Sequence, residues 1–232
     1  MAISNLSNDR LILAVDGPSG TGKSTNCRAL ASRLDAKYVD TGAMSRVATL
    51  AVLRAGVDPA DTEAVIAATR DLPLEVSDDP HSTAVLFDGE DVSAVIRGDE
   101  VTRAVSAVSA IAEVRENLVA LQRELAARAG RAIVEGRDIG TVVLPDAPAK
   151  AFLTASSTVR AQRRHAQNLA AGRESDFDTV LADVERRDAA DSSRKASPLR
   201  PADDATVIDT SDMTPEEVLD ALVTVVKESA RD

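Results

Sequence analysis

The stretch "GPSGTGKST", Gly17 to Thr25, sets three glycines around a lysine that is followed by two hydroxyl side chains. Gly17, Gly22, Lys23 and Ser24 satisfy the spacing G-x-x-x-x-G-K-[ST], a loop whose backbone N–H groups turn inward around an anion. Glycine allows the backbone to approach a phosphate closely and to take angles that side chains forbid. Lys23 then reaches the β- and γ-phosphates as a point charge, and the Ser24 hydroxyl sits on Mg2+. Gly17, Pro18, Ser19, Gly20, Thr21, Gly22, Lys23, Ser24 and Thr25 are therefore expected to hold a nucleoside triphosphate. The loop alone does not say what happens to that nucleotide.

Such a loop works only between a buried strand and a helix. "LILAV", Leu11 to Val15, is an apolar run of strand length, as a strand covered on both faces would be. "KSTNCRALASRL" puts Cys27, Leu30 and Leu34 on one helical face.

A second anion site is suggested by arginines near predicted strand ends and loops, Arg46, Arg115, Arg137, Arg163, Arg164, Arg186, Arg187 and Arg194, although a solvated helix face equally accounts for Arg163 and Arg186. Arg137 in "VEGRD" follows an apolar strand at the end where ligands bind, and arginine suits bidentate phosphate recognition. "ERRDAADSSR" spaces Arg187, Asp191 and Arg194 along one helical face. A salt-bridged surface stripe has the same spacing, so the pattern alone leaves both readings open. An acceptor that carries its own phosphate needs no catalytic base, because its second pKa of ~6 leaves it mostly dianionic at neutral pH. The two histidines, His81 and His165, fall in a turn and on a polar helix face, where no base is expected.

The remaining elements alternate. A strand around Tyr38 and Val39 leads into a helix through "SRVATLAVLRAG". Residues 58–104 break the alternation with a helix and three short β pieces, around Leu74–Val76, Ala84–Phe87 and Glu90–Val92, as an inserted subdomain would. One long amphipathic helix is expected over "SAVSAIAEVRENLVALQRELAARAG", ending at Gly130. "RAIVEGRDIGTVVLPD" reads as a buried strand followed by a polar turn. "KAFLTA" and "ATVIDT" read as strands, with helices over "STVRAQRRHAQNLAAG", "DFDTVLADVERRDAADSS" and "TPEEVLDALVTVVKESA". This order predicts a parallel sheet with helices on both faces, and Gly17–Thr25, Asp40–Arg46 and Glu135–Asp138 facing one crevice at its carboxyl edge.

In a chain of 232 residues, 44% hydrophobic and 28% charged, one sizeable core is expected. A net charge of −11 argues against nucleic acid or an anionic membrane as a partner. The single cysteine, Cys27, excludes an internal disulfide and reads as a small core residue. "MAISNLSNDR" has no apolar signal region, and no apolar run approaches the ~18 residues of a membrane span, so a cytoplasmic protein is expected.

Taken together, "VDGPSGTGKST", "YVDTGAM", "DGEDVSAVIR", "VSAVSAIAEVR", "EGRDIGTVVLPDA" and "RRDAADSSRKASPL" resemble the bacterial cytidylate kinases, in that family's order, from Asp16 to about Asp209. The resemblance implies an α/β P-loop kinase fold in a single domain over 1–232. Residues 58–104 would be its small inserted monophosphate-binding subdomain and 163–176 a short lid. It implies phosphorylation of CMP and dCMP with ATP and Mg2+ by a monomer. Lys23, Arg137 and Arg194 would be catalytic. Arg46, Arg137 and Arg194 would grip the acceptor phosphate, with Thr41 at the family's small hydroxyl position. Ser106, Arg115 and Asp138 would face cytosine, Arg187 and Asp191 the ribose, and Arg163 and Arg164 would serve the lid. Ser45 stands where the family usually has tyrosine, and with aromatics at 2% no neighbour replaces that ring. Two rival readings share the loop: a kinase for a sugar acid or shikimate, and a guanine-nucleotide switch. The switch normally needs N/T-K-x-D, which does not occur here.

Overall fold

The computed structural model describes residues 11–194 and 196–230; the N-terminal decapeptide, read above as lacking an apolar leader, lies outside them. Five strands form a parallel sheet: β1 (Leu11–Asp16), β2 (Lys37–Asp40), β6 (Arg131–Glu135), β7 (Ala149–Thr154) and β8 (Thr206–Asp209). Their order is β2-β6-β1-β7-β8, which puts β1 at the centre between β6 and β7.

Successive β1 side chains point to opposite faces. Leu13 and Val15 pack against Cys27 and Leu30 of α1 (Lys23–Arg33) and Leu222 and Val226 of α8 (Pro215–Ser229). Ala14 joins Val39, Val134 and Ala126 on the other face, under α5 (Ala112–Ala129). Cys27 is fully buried in the first of these clusters, as its place in the sequence suggests.

The helix starts carry their own signals. Gly22 takes a left-handed conformation, φ 87°, before α1. Asp40 caps α2 (Thr41–Arg54) by accepting the Ala43 N–H at 2.9 Å. Thr214 and Glu217 form a reciprocal capping box on α8, with Pro215 in its first turn.

Between α2 and α5 lie α3 (Thr62–Thr69), the antiparallel strands β3 (Leu74–Val76), β4 (Val85–Phe87) and β5 (Glu90–Asp91), a single 3-10 turn and α4 (Asp99–Val108). Val85, Val92 and Ile96 pack on Ala43, Val47 and Leu50 of α2. The opposite side of α2, with Met44, Ala48 and Val52, packs on Val65, Val108, Val114 and Leu118. Position 104 falls inside α4, so that helix continues past the end read for the inserted region. The β3–β4 turn also reaches back to the sheet. Asp78 O accepts from Tyr38 N at 2.9 Å, and Arg28 of α1 stacks 4.3 Å above the Tyr38 ring while donating to the carbonyls of Pro80 and Ser82.

Two expectations need correction. The single long helix ending at Gly130 is two, α4 and α5, broken at Ser109–Ile111. Ile111 is extended, with ψ 124°, and serine with β-branched neighbours favours helix weakly enough for packing to choose the break. The polar turn after β6 is instead a wide helical turn, Ile139–Val143, with Val143 N to Asp138 O at 3.1 Å and Leu144 N to Ile139 O at 2.7 Å. Ile139, Gly140 and Val143 are buried there, because the turn folds under α5 and not out into solvent.

Candidate active site

The carboxyl ends of β1, β2 and β6 open into one cleft of about 460 Å3, closed from the sides by α4, α5, α6 (Ser157–Ala170) and α7 (Phe177–Ser193). Residues from all three segments expected at that edge line it, from Ser19–Thr25, Asp40–Arg46 and Glu135–Asp138.

The glycine-rich loop folds tightly against the sheet. Gly17 has φ 144°, and a Cβ there would stand 2.0 Å from the Leu153 carbonyl oxygen of β7, so no other residue fits. Lys23 Nζ donates to the Gly17 and Pro18 carbonyls, each at 2.7 Å. Burial, with Arg137 nearby, pushes the Lys23 ammonium pKa down to about 7. Thr21 Oγ1 donates to Pro18 O at 3.2 Å and braces the loop from behind. A second brace escapes sequence reading: Arg160 of α6, ion-paired with Asp188, donates to Ser19 O at 3.2 Å.

Ser24 Oγ and Tyr38 Oη both donate to Glu135 Oε1, each at 2.6 Å. Glu135 Oε2 is buried without a partner among the described residues. Burial and the neighbouring Asp40 raise the Glu135 pKa. Hydroxyl and carboxylate oxygens are the donors that a hard divalent cation takes, and the orphaned oxygen leaves a position for one. Tyr38 reads in the sequence only as a strand residue; its phenol matters through a contact with β6.

Every residue expected to contact the acceptor lines the cleft: Thr41, Arg46, Ser106, Arg115, Arg137, Asp138, Arg187, Asp191 and Arg194. Thr41 Oγ1 donates to Glu135 O at 2.7 Å. Arg137 Nη1 donates to Gly17 O at 3.1 Å, and its Nε to Asp191 Oδ2 at 3.0 Å. Arg194 Nε donates to Asp191 O at 3.2 Å and pairs with the same carboxylate. Thus Asp191 joins Arg137 and Arg194, and the stripe read in "ERRDAADSSR" faces inward. Arg46 Nη1 donates to Ile96 O and Thr102 Oγ1, each at 2.9 Å. Burial, then Arg187 and Arg164, lowers the Arg46 pKa to about 9; burial, then Arg137, lowers that of Arg187 to about 10. Arg187 Nε is buried with no partner among the described residues. Guanidinium groups so crowded and dehydrated are short of anions, and a phosphate supplies that charge.

Arg115 Nη2 donates to Asp138 Oδ2, while Arg115 Nε is buried with no partner among the described residues. Gln122, one helical face along from Arg115 on α5, is 5% exposed and lines the cleft. Its polar group in an apolar helix run is the signal that sequence reading passed over. Ser45 also lines the cleft, its hydroxyl bonded only to Thr41 O at 3.4 Å on its own helix.

The two arginines read for the lid separate. Arg164 lines the cleft, and its pKa is lowered by burial and by Arg173. Arg163 turns away, donating to Thr210 Oγ1 at 3.1 Å and Thr210 O at 2.6 Å. Thr210 in turn donates to Thr21 O at 3.1 Å, so Arg163 supports the glycine-rich loop from outside. Neither histidine lines the cleft: His81 meets Ser32 Oγ at 3.1 Å, and His165 meets Ser175 Oγ at 2.9 Å.

Residues 13–228 match the family model described as cytidylate kinase. The cytidylate kinase of Corynebacterium glutamicum is 70% identical over 220 residues, covering 95% of this chain and 96% of that one. That of Corynebacterium diphtheriae is 66% identical over the same shares. Among solved structures, a gluconokinase from Sinorhizobium meliloti aligns over 97% of this chain and 95% of its own, with a TM-score of 0.50 and 15% identity, a likeness of fold alone.

Proposed function

This chain belongs to the cytidylate kinase family, and we propose that its cleft transfers the γ-phosphoryl group of ATP to CMP and dCMP. The observation that carries the assignment of sites is a shared carbonyl. Gly17 O accepts from Lys23 Nζ on the donor side and from Arg137 Nη1 on the acceptor side. Two cations meeting at one point of the loop mark where a phosphoryl group passes between two anions.

In this reading, Gly17–Thr25 hold the ATP phosphates, and Lys23 exchanges its two carbonyl partners for the transferring group. Arg46, Arg137 and Arg194 grip the acceptor phosphate, with Thr41 beside it. Ser106, Arg115 and Asp138 face the base, and Arg187 and Asp191 the ribose. An oxygen of the CMP phosphate bonds to the γ-phosphorus, the bond from that phosphorus to the β–γ bridging oxygen breaks, and ADP leaves with the charge. No proton needs to move, which suits a cleft with no histidine. Mg2+, when bound, neutralises the β- and γ-oxygens, and Ser24 with Glu135 would hold it. Residues 58–104 serve as the monophosphate-binding subdomain and 163–176 as the lid that keeps water from the donor. Arg164 is the lid arginine that faces the nucleotides. The protein works as a cytoplasmic monomer on small nucleotides, with no part for nucleic acid or membrane. No helix among the described residues is long and apolar enough to cross a membrane.

A coupled assay of ADP release with CMP, dCMP, UMP, AMP, shikimate and gluconate tests the proposal. Turnover of CMP and dCMP well above the others is expected. Preference for either acid would return the chain to the small-molecule kinases that share its fold.

A further inference from the structure

Asp16, the last residue of β1, is 3% exposed and does not line the cleft. Its Oδ1 accepts the Ile139 N–H at 2.7 Å and its Oδ2 accepts the Gly140 N–H at 2.8 Å. Those amides open the wide turn after β6, and the first N–H groups of any helical turn have no partner within it. The two residues before them are Arg137 and Asp138. Arg137 is itself tied to Gly17 O at 3.1 Å. Asp16, which ends the donor strand, and Gly17, which opens the glycine-rich loop, therefore hold both ends of the four-residue arm 137–140.

We propose that Asp16 is a positioning residue: its carboxylate sets where Arg137 and Asp138 stand relative to the glycine-rich loop, and so fixes the acceptor site against the donor site. The inference rests on the reading of Arg137 and Asp138 as acceptor contacts. The fit is close on the Gly140 side, where a Cβ would lie 3.4 Å from Asp16 Oδ2 and 3.2 Å from Lys150 Cδ. Two amides are best met by the two oxygens of the ionised carboxylate. An asparagine turns a donor toward one of them, and a protonated acid leaves its hydroxyl oxygen a poorer acceptor.

The group titrates in a useful range. Burial, with a smaller push from Asp138, raises the Asp16 pKa to about 6 against the opposing pull of the two amides and Lys23. Lys150, which packs beside Gly140 from β7, directs its ammonium to Asp204 and Pro145 O. Above about pH 6 the carboxylate holds both amides at full strength, and as pH falls through that value one of the two bonds weakens.

Asp16→Asn tests this with separate readouts for the two sites. At pH 8 the KM for CMP should rise about tenfold, the loss of one hydrogen bond to a charged acceptor, while ATP affinity by calorimetry changes less than about twofold. The ratio of variant to wild-type KM should then fall toward unity by pH 5, where the same bond is weakened in wild type. Protonation of the CMP phosphate affects both proteins and cancels in that ratio. A ratio that does not change with pH, or ATP affinity that drops with CMP affinity, would overturn the proposal. If the asparagine variant does not fold, the backbone amide resonances of the wild-type protein decide the matter: those of Ile139 and Gly140 should shift together with a midpoint near pH 6, and amides that do not respond to pH there count against Asp16. Wild-type turnover of CMP reports separately on the acceptor. Were another monophosphate the substrate, the same ratios would be read with it.

Discussion

Arg115 and Asp138 are paired in the wall of the cleft, Nη2 to Oδ2, with side chains 12% and 6% exposed. One can only donate and the other only accept, and Arg115 Nε remains buried without a partner among the described residues. Cytosine presents an amino donor at N4 and an acceptor at N3; uracil presents the reverse. Each mismatched buried group costs about 1–3 kcal/mol, so kcat/KM should favour CMP over UMP by at least ~10^2. Asp138→Asn should erode that ratio mainly through loss of CMP turnover, because an amide can also donate to O4. Equal use of UMP by wild-type protein would remove the cytosine reading.

Lys23→Met should leave the melting temperature near that of wild type and lower kcat by ~10^3 or more, since the charge it removes acts on the transferring phosphoryl group. The aliphatic stem is buried and methionine fills similar space. Near-normal turnover would remove Lys23 from the donor site.

Arg194→Ala should lower kcat by about 10^2–10^3, the usual scale for one lost transition-state donor. Calorimetry should find ATP affinity within about threefold of wild type, because Arg194 is held by Asp191 on the Arg137 side of the cleft. A fall in ATP binding that matches the loss of turnover would place Arg194 on the donor.

Ser45→Tyr should lower the KM for CMP without loss of stability. The Ser45 hydroxyl meets only a carbonyl of its own helix, and the side chain borders the cleft, so a ring has open space. A drop of several degrees in melting temperature would instead show that the surroundings have closed around serine.

The sequence is legible where local rules and tertiary structure agree. Gly17–Thr25 reads directly because a phosphate-binding loop must be built from consecutive residues, and the parallel sheet follows from apolar runs set between amphipathic ones. Arg46 and Arg137 could be placed at the cleft because each follows a strand, and Arg115, Arg187 and Arg194 through the family's motifs, but their partners could not be read; Arg186 instead pairs with Asp183 on the exposed side of α7. That Asp191 joins Arg137 to Arg194 depends on how α7 lies across the end of β6. The break between α4 and α5 was beyond reading for the same reason: the periodicity runs across it, and only packing against α2 and α7 decides that the chain turns. Tyr38, Glu135, Asp16 and Arg160 act through side-chain contacts with segments far along the chain, and spacing carries no record of these.

α2 buries apolar residues on two sides, Val47 and Leu50 under the short antiparallel strands and Met44 and Val52 under α3 and α5. Residues 58–104 therefore have no core of their own to carry elsewhere. Cut out as a cassette, they would leave a bare hydrophobic helix at the edge of the sheet and uncover the Arg28–Tyr38 stack. Grafted onto a shorter kinase, they would find no matching surface. Any redesign of this stretch has to rewrite α2 with it, so the two are one unit of packing.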